Sequence, residues 1–460
     1  MRPNPLRKGL ARMLSVKQAE NRCHALIDRA MRAGGDAGDA VYLANASESV
    51  QVRLGKLEDV ERSESEHIGL RVFVGQGSAS IGTSDFTDAA LDELAQRAVA
   101  MARAAPPDQY AGLAPESRLL RGPALALDLD DPHEPRPEDL RRAAEEAEEA
   151  ARAVAGVTNS EGGGASSGRG MVALATSDGF SGGYSASSHS ISASVLAGEG
   201  SHMQRDYCWR SARHAADLLD PAEIGRRAGE RAVARMNPGR VRSGPMPVVF
   251  DPRVGGSLVG HLLGAISGSA IARRASFLLG SDGAQLFDPG VTIIDDPLRP
   301  RGLRSRPFDG EGLPTGPRKL VENGRLTGWL MDSAAARQLG AEPTGHAARG
   351  ASGAPGVSAS NVVLQPGTVS RDALIADIAE GVYVTELIGQ GVNGVTGDYS
   401  RGAAGFRIVN GQLAGAIAEF TVAGNLIEMF AALVPADDLD IHRAIDVPTL
   451  RIDAMTVAGD

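Results

Sequence analysis

Residues 41–63, VYLANASESVQVRLGKLEDVERS, and 69–82, GLRVFVGQGSASIG, alternate apolar and polar side chains at a period of two, the pattern of strands with one face on a core. A tight turn is expected at Gln76-Gly77 inside the second segment. Upstream, Ser15 is suited to cap a helix through VKQAENRCHALIDRAMRA, which Gly34 and Gly35 stop. Downstream, a helix is expected from Phe86 to Ala104, before APPDQYAGLAPES (105–117) breaks the periodicity with three prolines and reads as a linker. Helix, strands, helix in this order place the chain in the α+β class.

A second unit begins near Asp128. Pro137 sits where the first turn of PEDLRRAAEEAEEAARAVAG would take it, with acids early in the helix. Strands follow from Val157 to Arg213, with turns expected at EGGG (161–164) and SDG (177–179), and then a helix from about Pro221 to Met236. A third unit opens at Met246 with the apolar strand MPVVF and a glycine-striped helix, RVGGSLVGHLLGAISGSAIA (253–272), and continues β-rich. The expected domains are an N-terminal α/β domain (1–125), a small central α+β domain (126–243) and a β-rich C-terminal domain (244–460). On the striped helix Gly256, Gly260, Gly264 and Gly268 recur every four residues. Each costs ~1 kcal/mol in a helix interior, so they mark a face that another backbone approaches closely.

The composition fits several domains, since 460 residues exceed what one core serves. With 42 % apolar residues but only 4 % aromatic, burial falls on Ala, Val, Leu and Ile. Glycine is over-used, at 57 residues, and sits between alternating runs, as expected of many short strands. A net charge of −10 opposes phosphate contacts and excludes nucleic acid as a partner. Cys23 and Cys208 lie far apart without a CxxC spacing, so neither a disulfide framework nor a thiolate metal site is expected, which suits a cytoplasmic protein. Arg2, Arg7, Lys8 and Arg12 form a basic tail with no apolar run of signal-peptide length behind it. No run of ~18 apolar residues suggests a membrane span.

Most motif matches fail on context. GQGVNG (389–394) follows the strand-like VYVTELI and matches GxGxxG, but VTGDYSRGAAGF behind it has no helical period, so no dinucleotide site forms. It reads as a glycine-rich turn between two strands, or as a loop kept thin for a passing ligand backbone. GASSG (164–168) and GFSGG (179–183) match GxSxG without joining a buried strand to a helix, and read as turns. The nine histidines, His202 among them, supply no HxH or HxxxH pair, and His133-Glu134 is followed by Pro135 and Pro137. His261 stands apart. It lies in the striped helix among Leu262, Leu263 and Ile266, where an imidazole needs a hydrogen-bond partner or faces a cavity.

GLRVFVGQGSASIGTSDF (69–86), TNSEGGG (158–164), GHLLGAISGSA (260–270), VTELIGQGVNGVTGDYSRGAAGF (384–406) and EFTVAGNL (419–426), in this order, resemble the PmbA/TldE branch of the TldD/PmbA family. The resemblance spans nearly the whole chain and implies the same three-domain plan. In the peptidase branch the helix at this place carries HExxxH, two zinc-binding histidines and a catalytic glutamate, with a cysteine near the C-terminus as a further ligand. The matching positions here are Gly260, His261 and Ala265, and no cysteine follows Cys208. A zinc hydrolase needs about three protein ligands and an open position for water. The resemblance therefore implies no catalytic residue and no cofactor in this chain, with zinc expected in a TldD-type partner subunit and unfolded peptides as substrates. Pairing with a second copy of itself is a further option. The family's label as a modulator of DNA gyrase reads as indirect, because nothing in the sequence resembles a DNA-binding face.

Substrate binding is placed between Thr385 and Phe406. A peptide adding to an exposed strand edge gains main-chain hydrogen bonds with little reading of its side chains. Gly389, Gly391, Gly394, Gly397, Gly402 and Gly405 would let its backbone come close, and Asp398, Ser400 and Arg401 would supply polar groups. The alternative is that these glycines serve tight turns and Asp398 pairs with Arg401. At the level of function, the alternatives are a stand-alone peptide-binding or scaffolding protein and an independent hydrolase with another nucleophile.

Overall fold

In a computed structural model of the protein, residues 13–200 and 203–459 are described; the basic tail with Arg2, Arg7, Lys8 and Arg12, and His202, lie outside the described residues. The N-terminal part contains α1 (Val16–Arg32), β1 (Ala37–Arg53), β2 (Lys56–Val74), β3 (Gly77–Thr83) and α2 (Asp88–Ala104). Ser15 caps α1 as expected: its hydroxyl accepts from Gln18 N while Gln18 Oε1 accepts from Ser15 N at 2.8 Å. The β2–β3 turn falls one residue earlier than expected, on Gly75-Gln76, because Val74 pairs with Gly77 and Gly75 takes the left-handed φ of +57°. The central part holds α3 (Pro137–Arg152), β4 (Val157–Thr176), β5 (Ser181–Ala197), β6 (Gln204–Ala212) and α4 (Pro221–Ala234).

These two parts share one sheet. Its order is β3-β2-β1-β4-β5-β6, with β1 antiparallel to β4 from Asp39↔Thr176 to Val52↔Gly163. Strand alternation on β1 then decides what each face meets. Ala40, Tyr42 and Ala44 pack under α1 and α2 with Cys23, Leu26 and Ala98, and Val50 and Val52 pack under α3 and α4 with Ala144, Ala147 and Ile224. Val41 points the other way, into a cluster with Leu174, Phe180, Phe308 and Leu313 that joins the sheet to the C-terminal part. Two expected turns are strand instead: EGGG (161–164) and GASSG (164–168) lie within β4. The glycines serve close approach there, since a Cβ on Gly163 would lie 2.1 Å from Ala144 O on α3. The SDG turn does join β4 to β5.

The C-terminal part begins with β7 (Gly244–Phe250), α5 (Pro252–Ala265), α6 (Gly268–Ala272), β8 (Ile293–Asp295), β9 (Arg318–Glu322), β10 (Arg325–Leu326) and α7 (Ser333–Leu339). It continues with β11 (Ala347–Ala348), β12 (Gly356–Val357), β13 (Val362–Leu364), α8 (Arg371–Ile375), β14 (Glu380–Ile388), β15 (Asp398–Val409) and β16 (Gln412–Asn425). The last elements are α9 (Leu426–Ala431), β17 (Leu433–Pro435), β18 (Ile445–Asp446) and β19 (Leu450–Ala458). One sheet runs β10-β9-β8-β13-β18. The other runs β16-β15-β14-β7-β19-β17 and closes on itself, because β16 also pairs with β19. The fold is therefore mixed α and β, as expected.

The striped helix is not continuous: α5 ends at Ala265, and Gly268 opens α6 after the chain turns at Ile266 and Ser267. Among the four, close approach holds only at Gly268. A Cβ on Gly256 would come 3.4 Å from Ile445 O and one on Gly268 3.0 Å from Leu330 O, whereas at Gly260 and Gly264 it would meet nothing within 4 Å. The 105–117 segment is held by Arg337 of α7, whose guanidinium donates to the carbonyls of Tyr110, Gly112 and Leu113 at 2.7 to 2.9 Å.

Buried charge ties the shared sheet to the C-terminal part. Asp39 on β1 receives Arg71 of β2 at 2.5 Å and Arg349 at 2.6 Å, and Arg71 also reaches Glu311 at 3.5 Å. Next to Glu311, the Asp309 carboxyl is pushed up to about 6 by burial and by the Glu311 charge, against the N–H groups of Glu311, Leu313 and Ala347 that it accepts. A raised carboxyl pKa favours the folded state while the group stays protonated, and that advantage is lost as pH rises from 3.8 to about 6. Wild type should then lose on the order of 2–3 kcal/mol relative to Asp309→Asn across this window. Urea midpoints of both proteins at pH 4 and pH 7 check this; a difference that does not change with pH contradicts it.

Candidate functional site

His261 lies on α5, whose Asp251 cap accepts from Arg253 N, and the helix rests against β14 and β15 through the buried Leu258 and Leu262. Its ring meets the edge of Tyr399 at 6.0 Å between centroids, inclined by 75°. The imidazole Nε2 is buried and has no hydrogen-bond partner among the described residues. Burial, with the nearby Arg401 charge, pulls the His261 pKa below its ordinary value, so the ring is held neutral. Tyr399, 2 % exposed, has its phenol pushed up to about 12 by burial, which the Arg401 charge partly offsets; its hydroxyl is likewise unpartnered.

The β15 residues that the sequence groups together are split by strand alternation. Asp398 and Ser400 are exposed, while Tyr399 and Arg401 point inward under α5. Asp398 does not pair with Arg401: it accepts from Thr396 Oγ1 at 2.6 Å and from Asn425 Nδ2 at 3.3 Å, which hold its carboxyl below the usual range. Tyr399 is the residue that sequence reasoning missed, although period two along DYSR already puts it on the Arg401 face.

The glycines divide as well. A Cβ on Gly391 would lie 2.0 Å from Ser400 O and one on Gly405 1.9 Å from Tyr383 O, so both are fixed by neighbouring backbone of this chain. Gly402 has 3.4 Å to Ile388, and Gly389 and Gly394 have nothing within 4 Å. GQGVNG is the loop joining β14 to β15, with no helix behind it. Thr385 is buried at a bulge of β14, its hydroxyl 3.5 Å from Ala404 O.

Sheet closure removes most of the strand edge expected between Thr385 and Phe406, since β14 lies between β15 and β7, and β15 between β14 and β16. One stretch stays open. β7 pairs with β14 only at Val382–Val384, whereas β15 follows β14 to Ile388, so the outer edge of residues 386–388 has no strand beside it. Ile388 is 60 % exposed there. A cavity of about 620 Å³ opens elsewhere, lined by Arg118, Arg318, Trp329 and Glu342 among others, and contains none of these residues.

The site does not suit a catalytic zinc. Gly260 and Ala265 offer no ligand atom, and the charge beside His261 is the Arg401 cation rather than a carboxylate. Among the described residues no three His, Cys, Asp or Glu side chains gather where they could hold a metal ion. Cys23 and Cys208 are both buried in the cores of the shared sheet. Histidines do gather at Asp131, which has His189 Nε2 at 3.4 Å and His214 Nδ1 at 3.8 Å.

Family models described as PmbA/TldA metallopeptidase domain 1, central domain and C-terminal domain match residues 38–102, 130–236 and 243–459. The chain is 36 % identical to the Metalloprotease PmbA of Escherichia coli O157:H7 over 413 residues, which cover 89 % of this chain and 90 % of that one. It is 33 % identical to a Metalloprotease PmbA homolog of Haemophilus influenzae, covering 94 % of both. Among solved structures, a Bacteroides thetaiotaomicron protein described as a proposed modulator of DNA gyrase superposes with a TM-score of 0.89 at 26 % identity, covering 97 % of this chain and 100 % of that one. TldE from Thermococcus kodakarensis superposes at 0.84 and 22 % identity, covering 95 % and 99 %, which is a likeness of fold. No described helix is long and apolar enough to cross a membrane. By its sequence along almost the entire length, the chain belongs to the PmbA/TldD family of metalloproteases.

Proposed function

We propose that this chain is the metal-free, peptide-binding subunit of a cytoplasmic TldD/TldE-type zinc peptidase, working with a relative that carries HExxxH. What supports this reading is the content of α5: by the resemblance to the peptidase branch, Gly260, His261 and Ala265 match the positions of its zinc ligands and base, and the charge near His261 is the Arg401 cation. Conservation of the full three-domain length, without those ligands, fits a subunit that shapes a chamber around a partner's metal. Two features suit such a complex. Leu54, Leu57 and Val60 are 49, 45 and 48 % exposed on the β1–β2 hairpin, apolar surface of the kind that partners cover. The open edge of β14 at residues 386–388 offers main-chain groups to an extended peptide.

Purified alone, the chain should hold far less than one zinc and leave an unfolded peptide uncut, as elemental analysis and a cleavage assay would show. One tightly bound zinc per chain, lost on His261→Ala, would sink the reading.

The β14–β15 wall separates into scaffold and surface. Gly391→Val should cost about 2 kcal/mol or more through backbone collision. Gly402→Val, with room for a Cβ, should keep the melting temperature within a few degrees and slow cleavage by the assembled pair several-fold. Melting and cleavage measured on both variants decide it: unchanged cleavage by the Gly402 variant removes this surface from the substrate path.

A further inference from the structure

Arg401 is 9 % exposed, and among the described residues no carboxylate pairs with it and its buried Nε has no hydrogen-bond partner, while the rest of the guanidinium lies near the Tyr399 hydroxyl. An isolated buried cation is costly, and proteins keep one where a counter-charge arrives from elsewhere. Its neighbours share the deficiency. The Tyr399 hydroxyl and the His261 Nε2 are also buried without partners, and they belong to rings in contact with each other. Three polar side chains from one helix and one strand thus leave unused hydrogen-bonding capacity in the same place, under a helix whose Gly260 and Gly264 carry no side chain and face open space.

We propose that Arg401, Tyr399 and His261 form a binding site for a carboxylate group. The chemistry selects this ligand class. A guanidinium presents a planar fork that matches two carboxylate oxygens, and a protonated phenol can donate to one of them. The positive charge is single, because the tyrosine and the histidine are neutral, so a monoanion is balanced and a phosphate dianion is not. Among the described residues, no carboxylate of this chain is paired with any of the three groups. The inference rests on the peptide-binding reading for its source: a free α-carboxyl terminus, or a Glu or Asp side chain, of the bound peptide.

The test uses the full chain and one short unstructured peptide without acidic side chains, with a free or an amidated C-terminus, and its amidated form with one added internal Glu. Binding is measured by calorimetry to wild type, Arg401→Gln and Tyr399→Phe, with melting temperatures to show that each variant is folded. Acetate against chloride at equal ionic strength, read as a shift in melting temperature, is run in parallel. The free-acid form should bind about tenfold or more tightly than the amide, as a charge-assisted contact implies, and Arg401→Gln should erase the difference. If the internal Glu restores binding to the amide, the source is a side chain; if it does not, the source is the terminus. Equal binding of all three peptide forms overturns the carboxylate site and leaves peptide binding standing. If no form binds but acetate stabilises wild type and not Arg401→Gln, the site stands and the peptide reading falls. No response to peptide or acetate, or discrimination that survives in Arg401→Gln, overturns the site.

Discussion

Asp39 lies 1 % exposed between two guanidinium groups, Arg71 from its own sheet and Arg349 from the C-terminal part, and the arrangement of the molecule depends on that contact. A buried carboxylate left without either cation would carry its desolvation cost uncompensated, and removing one partner of such a pair costs about 3–5 kcal/mol. Arg71 passes the connection on to Glu311, whose other oxygen accepts from Ser333 N at the start of α7, and α7 in turn holds the 105–117 segment through Arg337. One chain of charge and hydrogen bonds thus fixes the C-terminal part against the far face of the sheet shared by the first two parts. Charges need specific geometry where apolar contacts do not, so the network sets orientation while the Val41, Phe180 and Phe308 cluster supplies burial.

With that docking fixed, the chemistry of the site follows from the closed C-terminal sheet. Within the stretch from Thr385 to Phe406, closure leaves strand edge free at residues 386–388, and alternation turns Tyr399 and Arg401 inward beneath α5. A metallopeptidase at this place would need the helix to present ligands to a cation. This helix presents a neutral imidazole to a cation instead, an environment that attracts anions. The protein has the architecture of a metalloprotease family and, on α5, a neutral imidazole beside a cation.

Elements with local signals were legible in the sequence. The Ser15 cap, Pro137 at the start of α3 and the alternation over residues 41–53 each rest on neighbours in the chain, and the structure follows them; the rest of the 41–63 run departs from expectation, because the chain turns at Leu54-Gly55 and residues 56–63 are exposed on both faces. What was not legible depended on distant partners. The glycines at 161–164 read as a turn because nothing local reveals that Ala144 of α3 presses on them. The four-residue glycine spacing read as one packed face, yet the helix ends at Ala265 and open space lies over Gly260 and Gly264. The shared six-stranded sheet required pairing between residues about 120 apart, which periodicity does not encode. Along β15, the separation of Arg401 from Asp398 and its placement on the Tyr399 face followed from alternation that the sequence already contained.

The central claim, that this chain serves a zinc peptidase without holding the zinc, is tested most directly by co-purifying it with an HExxxH-bearing relative and measuring zinc content and peptide cleavage of the heteromer against each chain alone. One zinc per heteromer is expected, lost when the relative's HExxxH histidines are replaced, with cleavage that falls steeply when this chain is left out. Full activity of the relative alone, or of this chain alone, would contradict it.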